Sequence, residues 1–597
     1  MKILHRVGVI GRLLGARLVG RFAMAALGLA VCDPSGWWVK AAAQEAGAAG
    51  AGTAVLSAQD KLVSQAPLSP DQSALATLLR RAGWENGVEG FYAANGYEPV
   101  WVSPASVARR SALMSSLMET SSHALPATRY DFAKLQDAIP RLASMGPEEL
   151  AATELGFTRS FVRYAQDLSS GLLQPRKVDR ELHVYPEKRD PKLLLNGLAR
   201  AQDPAAWMRA LAPSDPGYAA LMERYQTYQT LHARGGWGPQ LTGRKTLRPG
   251  DRARDVAVLR DRLTAMKYLG GDAVAGRDES VQIATAETTT DAGTRLINDP
   301  TVFDPALEAA VKQFQAHHGL NQDGTVGPAT RAAINVDPGF RAAQIAVNLE
   351  RLRWLNRELG AKHILVNLAS FDMVVMDRGE RAFESRVVVG TARKHRTPEF
   401  SDEMELMVIN PTWHVPSSIA REEILPELQK DPTYLSRKGM RLAGVEDPHL
   451  IDWQMVTPGS FPGRVKQAPG NGNALGRVKF LFPNDHAIYL HDTPSKSLFN
   501  KDMRAYSHGC VRVQRPFAFA EYLLAAQQDD PKGYFDTMLS RGKERYVPLK
   551  QHIPVHITYR TAWVDDDGQD QFRGDIYGRD ARVLAALAQA GVQLPSY

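Results

Sequence analysis

Hydrophobic positions recur at helical spacing from about Ser69 to Trp237 and switch to a strand period after about Lys362. Leu75, Leu78, Leu79 and Ala82 share one helical face, as do Phe157, Phe161, Tyr164 and Leu168. Phe91-Tyr92, Tyr97 and Trp101 punctuate this region, which reads as a helical scaffold with an aromatic core and no catalytic constellation. A smaller unit follows from about Leu247 to Val336. The turn Arg248-Pro249-Gly250-Asp251 leads into a helix with Val256, Leu259 and Leu263 on one face. The polar stretch from Gly270 to Asp299 predicts a long loop. A second helix opens at Asp304-Pro305, aspartate as cap and proline in the first turn, and carries Leu307, Val311 and Phe314. Turns at Asp323-Gly324 and Gly327-Pro328 precede a third short helix.

Strand-like runs then appear at Ile364 to Leu368, Phe371 to Met376, Phe383 to Val389 and Leu406 to Ile409. Others follow at Val478 to Leu481, Ile488 to Leu490, Val555 to Tyr559 and Ala562 to Val564. Turn signals at Asp377-Arg378-Gly379 and Asp567-Gly568 fit a meander, and so a sandwich or partly open barrel. Between Ile419 and Asn473 the strand pattern lapses. Arg421 to Leu428 reads as helix, and Pro458 to Asn473 is rich in glycine and proline. This is the pattern of an insertion over one end of the sheet, a lid. The expected class is α+β and multidomain: a mainly-β domain with a lid insertion, a helical scaffold and a small three-helix unit.

Length and charge refine the picture. The chain has 597 residues, enough for two to four domains. Lys2, Arg6, Arg12, Arg17 and Arg21 precede an apolar run from Phe22 to Cys32 and then Ala41-Ala42-Ala43, the layout of a secretory signal. The run is shorter than the roughly 20 residues of a bilayer span, so no membrane span is expected after cleavage. Residues 1–43 carry six Lys/Arg and one Asp, so losing that net +5 takes the formal charge from +7 to +2. A nucleic-acid partner therefore loses its support. Cys32 leaves with the signal, and Cys510 is then the sole thiol. Acylation of Cys32 as a lipoprotein is the weaker reading, because Val31 stands where such signals have a small residue.

The chemistry gathers in two clusters, Ile488-Tyr489-Leu490-His491-Asp492-Thr493-Pro494 and Ser507-His508-Gly509-Cys510-Val511-Arg512. A free thiol has a pKa near about 8.5 and needs a neighbour to take its proton. Gly509 lets the backbone approach a substrate carbonyl. Amide N–H groups around Gly509 and Cys510 suit an oxyanion, where one lost donor costs about 10²–10³ in rate. Arg512 suits a carboxylate. Of the two histidines, His491 is preferred as base, since His508 sits two positions from the nucleophile on the same turn. Asp492 reads as a turn residue fixing Thr493-Pro494. A buried structural cysteine is the bland alternative for Cys510, and the surrounding string argues against it. No metal is expected: His317 and His318, adjacent on a helix, point about 100° apart. No cofactor is implied.

These strings resemble the catalytic core of the L,D-transpeptidases, the YkuD-type domain. The likeness extends to Asn410-Pro411-Thr412-Trp413-His414-Val415-Pro416, to Pro469-Gly470 through Gly476, to Lys479-Phe480, to Phe482-Pro483-Asn484, and to Arg573 through Asp580. Residues 247–336, with Asp323-Gly324-Thr325-Val326-Gly327-Pro328-Ala329-Thr330, resemble a three-helix peptidoglycan-binding domain. Together with the helical scaffold this is similar to the large YcbB-like branch. The implied division is signal 1–43, tether 44–65, helical scaffold 66–243, peptidoglycan-binding domain 244–337, helical return 338–360, catalytic domain 361–565 with its lid at about 419–475, and C-terminal extension 566–597.

The resemblance implies that Cys510 attacks the meso-diaminopimelate carbonyl of a donor tetrapeptide stem. D-Ala leaves, a thioester forms, and the side-chain amine of an acceptor stem resolves it into a 3–3 cross-link. His491 would be the base, Ser507 would help orient it, and His508, Gly509 and Cys510 would shape the oxyanion site. Tyr489, Trp413 and Arg512 would line the donor pocket. Peptidoglycan stem peptides would be the partners, carbapenem-type β-lactams covalent inhibitors, and the periplasm the location. The acceptor stays open between a stem amine, water (a carboxypeptidase), a lipoprotein lysine and a 1–3 linkage. A non-catalytic peptidoglycan-binding scaffold is the alternative of another class. There is no His-Glu-x-x-His and no Gly-x-Ser-x-Gly, and Ser540-Arg541-Gly542-Lys543 lacks the companion motifs of penicillin-binding proteins.

Overall fold

The computed structural model describes residues 67–82, 86–270, 299–356 and 358–595. The expected signal (1–43), the tether (44–65) and nearly all of the polar loop at 270–299 lie outside the described residues.

Helix starts repeat one device. Asp190, Asp203, Asp215, Asp304, Asp337 and Asp530 each precede a proline, and each aspartate side chain accepts a backbone N–H from the first turn. The aspartate satisfies an orphan donor while the proline, which has none, presets φ. The helices that matter below are α1 (Pro147–Ser170), α2 (Pro216–Ala233), α3 (Arg254–Ala265), α4 (Pro305–His317), α5 (Pro328–Ile334) and α6 (Pro338–Trp354).

The α3–α5 unit has its own core of Val256, Leu259, Leu263, Leu307, Val311, Phe314 and Ile334. Its adjacent histidines diverge. His318 stacks on Phe314 at 3.8 Å, while His317 Nδ1 lies 3.2 Å from the Tyr268 hydroxyl.

The scaffold core is assembled from distant segments. Phe157 and Phe161 of α1, Tyr225 of α2 and Ile345 and Ala346 of α6 pack with Ala562, Phe572, Val583 and Leu587 near the C-terminus. The segment after 565, read from sequence as an extension, thus completes the scaffold. α6 is buried along its length, its charged residues included. Glu350 and Arg353 pair at 2.8 Å with both side chains fully buried, and Glu350 also accepts from the Leu173 N–H and Trp354 Nε1. A helix enclosed on all sides shows no apolar stripe in its sequence.

The catalytic-type region begins with β1 (Lys362–Asn367), β2 (Asp372–Asp377), β3 (Glu380–Gly390) and β4 (Phe400–Ile409). Next come β5 (Trp413–His414), β6 (Met440–Ala443) and β7 (Arg464–Gln467). β8 (Val478–Leu481), β9 (Leu490–His491), β10 (Ala505–Ser507), β11 (Val511–Val513) and β12 (Arg545–Thr558) follow. β13 (Ala562–Val564) and β14 (Asp570–Phe572) form a hairpin in the scaffold core.

The main sheet runs β10-β3-β11-β9-β8-β4-β12-β1-β2, and β2 pairs back onto β3. The ring of strands closes, so the structure departs from the expected sandwich or partly open barrel: one long strand, β3, pairs with β2, β11 and β10 along its length. Closure removes the exposed edges that an open meander leaves. The core holds Val366, Met373, Val389, Phe480, Leu490 and Val511.

The insertion also departs from expectation. It is not strandless: β5, β7 and β6 form an antiparallel sheet. Ala420, Ile424, Leu425, Leu428, Leu442, Trp453 and Val465 give it a core of its own. Strands of two to four residues are too short to show alternation, which is why the sequence pattern lapses.

Candidate active site

Three short strands set the site by register. Phe480, Leu490, Val511 and Val513 alternate inward into the barrel core. Lys479 of β8, His491 of β9 and Arg512 of β11 are therefore on the opposite face. Lys479 pairs with His491, and His491 pairs with Arg512. Paired residues share a face, so the imidazole is placed between two cations.

His491 is buried. Its Nδ1–H donates to the Asp492 carbonyl at 2.5 Å. That carbonyl and the one of Leu475 favour the protonated ring, but burial and the Arg512 and Lys479 charges outweigh them and push its pKa down to about 3. The glycine-rich loop delivers Leu475: Asn473 donates to the Pro411 and Ala468 carbonyls and accepts the Leu475 N–H at 2.8 Å. Asp492 does more than fix a turn. Its carboxylate accepts from the Arg477 and Thr493 N–H groups and from Lys496 Nζ.

Cys510 is a free, partly exposed cysteine. Its Sγ donates to the Ala487 carbonyl at 3.6 Å. The Tyr489 hydroxyl and backbone N–H bond to the sulfur and pull the thiol pKa down, as do Arg512 and Lys479, yet burial dominates and the pKa stays raised. Ala487 has φ 53°, in the left-handed region a non-glycine residue seldom visits. Asn484 holds it there: its Oδ1 accepts the His486 and Ile488 N–H groups, and its Nδ2 donates to the Phe482 and Ile488 carbonyls.

The turn that carries Cys510 is braced from within and behind. Ser507 Oγ donates to the Cys510 carbonyl and accepts the Gly509 N–H at 3.1 Å. Its hydroxyl thus shapes the turn and is not directed at the imidazole. Gly509 has φ 114°, and its carbonyl accepts from Thr397 Oγ1 at 2.7 Å. Thr397 Oγ1 in turn accepts the Gly390 N–H, and the Tyr577 hydroxyl donates to the Gly390 carbonyl.

The site thus unites Cys510, Tyr489, Arg512, Lys479 and His491. No hydrogen bond joins His491 to Cys510; the Tyr489 ring lies 5.6 Å from the imidazole and its hydroxyl reaches the sulfur. His508 turns away, its Nε2 contacting Glu423 of the lid. Trp413 stands on β5 of the lid sheet, paired with Gln467. Arg512 Nε has no partner. The arrangement can hold a neutral thiol, lower its pKa with two fixed cations and offer those cations to an anionic ligand. Lys479 and Ala487 had no assigned role in the sequence reading. A lone lysine in Val478-Lys479-Phe480 was a signal for the first; nothing in an alanine announces a left-handed φ.

Residues 361–543 match the YkuD family, described as an L,D-transpeptidase catalytic domain. Residues 86–224 match a family described as a scaffold domain, and residues 291–334 one described as a "Putative peptidoglycan binding domain". A "Putative L,D-transpeptidase" of Haemophilus influenzae is 37% identical over 249 residues, which are 41% of this chain and 49% of that protein. The match spans about half of that relative. Two solved structures were also found. An L,D-transpeptidase of Xylanimonas cellulosilytica is 14% identical, with 54% of this chain and 98% of that one covered and a TM-score of 0.16. One of Stackebrandtia nassauensis is 13% identical, with 54% and 96% covered and a TM-score of 0.18.

Proposed function

We propose that this chain, which carries an L,D-transpeptidase catalytic domain and a peptidoglycan-binding domain, joins peptidoglycan stems through a thioester on Cys510. The observation that carries the reading is the Cys510 thiol held by Tyr489 beside the unpartnered Arg512 Nε and Lys479. A stem peptide is an amide donor with carboxylates, and a carboxylate is what that cationic face lacks.

Cys510 Sγ bonds to the carbonyl carbon of a diaminopimelate residue in a donor tetrapeptide. The C–N bond to D-Ala breaks, and the amine leaves with the proton the thiol gave up. A second diaminopimelate amine then attacks the thioester, forms a 3–3 amide and returns the thiol. His491 is the proton carrier in this scheme. Its low pKa in the ligand-free arrangement comes from burial and then from Arg512. A substrate carboxylate on Arg512 offsets that charge, so binding raises the basicity of His491 while burial continues to lower it. The Gly509 N–H is taken by Ser507, which leaves the Cys510 N–H as a backbone donor for the developing oxyanion. Peptidoglycan lies outside the cytoplasm, so the site of action is the periplasm, and carbapenem-type β-lactams would acylate the same sulfur.

The test is incubation of the full chain with disaccharide tetrapeptides and mass spectrometry of the products. Wild type should give cross-linked dimer and free D-Ala, and Cys510→Ala neither. Tripeptide without dimer would replace the transpeptidase by a carboxypeptidase, and product from Cys510→Ala would reject the nucleophile.

A further inference from the structure

Outside the thiol cluster, three ligand-type side chains converge where the lid meets the nucleophile turn. His395 lies between β3 and β4, Glu423 on the lid's π-helical turn (Ala420–Ile424), and His508 two residues before Cys510. One ligand atom from each lies within 4.8 Å of the other two. His508 Nε2 contacts Glu423 Oε1, and the His395 and His508 rings stand 4.7 Å apart at 50°. We propose that His395, Glu423 and His508 form a zinc-type divalent metal site, and that the bound ion clamps the lid to the nucleophile turn.

The donor set fits the ion. Two imidazoles and a carboxylate are a recurrent zinc triad that leaves a fourth position open. Zinc bonds of about 2.0–2.1 Å in a tetrahedral site place ligand atoms roughly 3.3 Å apart. The cluster reaches that spacing by small movements: His508 and Glu423 part to admit the ion, and His395 closes on it. Glu423 and His508 are exposed and His395 half-buried, so the ion has a route from solvent.

The backbone around the cluster explains what a metal would do. His395 and His508 ride on one braced unit. Thr397 ties the His395 segment to Gly509, and Gly390, where a Cβ would stand 1.9 Å from the His395 carbonyl, lets that segment pack against β3. Glu423 belongs to a different body. Its neighbours Ala420, Ile424 and Leu425 are buried in the lid's own core. Only the Glu423–His508 ion pair joins lid to turn in this cluster, and an exposed pair of that kind is a weak link. An ion with ligands on both bodies makes a strong one. Cys510 is not a ligand, so the ion restrains access to the sulfur without consuming it. Glu403, Glu405 and His552, on β4 and β12, form a second cluster in which Glu405 is half-buried, and are the internal competitor.

Neither readout requires turnover, so failure here is distinguishable from failure of the transpeptidase reading. Zn²⁺ is titrated calorimetrically into the full chain and its variants. One equivalent should bind to wild type, Cys510→Ser and His552→Ala, with affinity falling by more than about tenfold in His395→Ala and in Glu423→Gln. Iodoacetamide alkylation of Cys510, followed on its tryptic peptide, should slow severalfold with Zn²⁺ in wild type and be unaffected in Glu423→Gln. Binding that survives both His395→Ala and Glu423→Gln, or disappears in Cys510→Ser or His552→Ala, or is absent from wild type, overturns the site. Specific binding with an unchanged alkylation rate overturns the clamp.

Discussion

Arg512 of β11 stands opposite His491 of β9 in parallel register, and its charge adds to burial in holding the imidazole neutral. The folded pKa of about 3 lies below the ordinary value of about 6.5. Between those values the unfolded chain binds a proton that the folded chain refuses. Stability therefore falls as pH drops from about 6.5 towards 3, by at most a few kcal/mol for this one group. Denaturant unfolding of wild type and His491→Asn at pH 7, 5.5 and 4.5 checks this. The gap between the two proteins should shift in favour of the variant as pH falls. Parallel curves would refute it. His123, lowered to about 4 by burial, is present in both proteins and cancels.

Removing the Arg512 charge should release His491. In Arg512→Gln the imidazole pKa should move up from about 3, because the second-largest cause of its depression is gone while burial stays. NMR titration of the ring reads this directly, and an unmoved pKa would mean that burial alone sets it. The same variant should lose most of its acylation by tetrapeptide.

Tyr489→Phe isolates one stabiliser of the thiolate. The hydroxyl bonds to Cys510 and lowers its pKa, so the variant's thiol pKa should rise further. Alkylation of Cys510 at pH 8 should slow severalfold, with the midpoint of the rate–pH profile displaced upward. A profile that stays in place would show that Arg512, Lys479 and the Tyr489 N–H suffice.

Gly390→Ala tests the brace behind Cys510. The new methyl would meet the His395 carbonyl at 1.9 Å and the Thr397 N–H at 2.8 Å, both backbone atoms that cannot rotate aside. Destabilisation of about 1–3 kcal/mol or more is expected. Loss of reactivity at Cys510 should accompany it, because Thr397 links Gly390 to Gly509. A fully stable variant with normal alkylation would remove the brace from the account.

Glu350→Gln probes the scaffold. It leaves Arg353 charged and fully enclosed, and breaking a buried pair costs about 3–5 kcal/mol. Thermal unfolding should show a drop of several degrees at least, and an unchanged midpoint would show that Tyr218 and the His123 carbonyl, also bonded to Arg353, carry the charge alone.

The legible parts of the sequence were those with long periods or dense chemistry. β1, β2 and β3 run for six residues or more and carry apolar runs bounded by turn signals, and Ser507-His508-Gly509-Cys510-Val511-Arg512 marks a candidate site without any structure. β10 and β11, three residues each, carry no readable period, so the parallel pairing that sets Arg512 against His491 was hidden. Asn484 shapes the chain before Tyr489 through side-chain bonds that have no sequence pattern of their own, so the closeness of Tyr489 to the sulfur was not legible. His395, Glu423 and His508 are distant in sequence and meet only in the folded chain; the adjacent His317-His318 differ in their partners.

Only Asn335, Val336 and Asp337 separate α5 of the small three-helix unit from α6 of the scaffold. Arg573 donates to the His317 carbonyl, and Arg341 lies over the Phe572 ring at 4.4 Å, so the junction is packed as well as short. A module on a loose leash would search a volume; this one is mounted like a fixed jaw. If the small unit holds a polymer strand as proposed, the separation between that grip and Cys510 is set by the fold, and the spacing of reaction along the polymer would be measured by the protein rather than by chance.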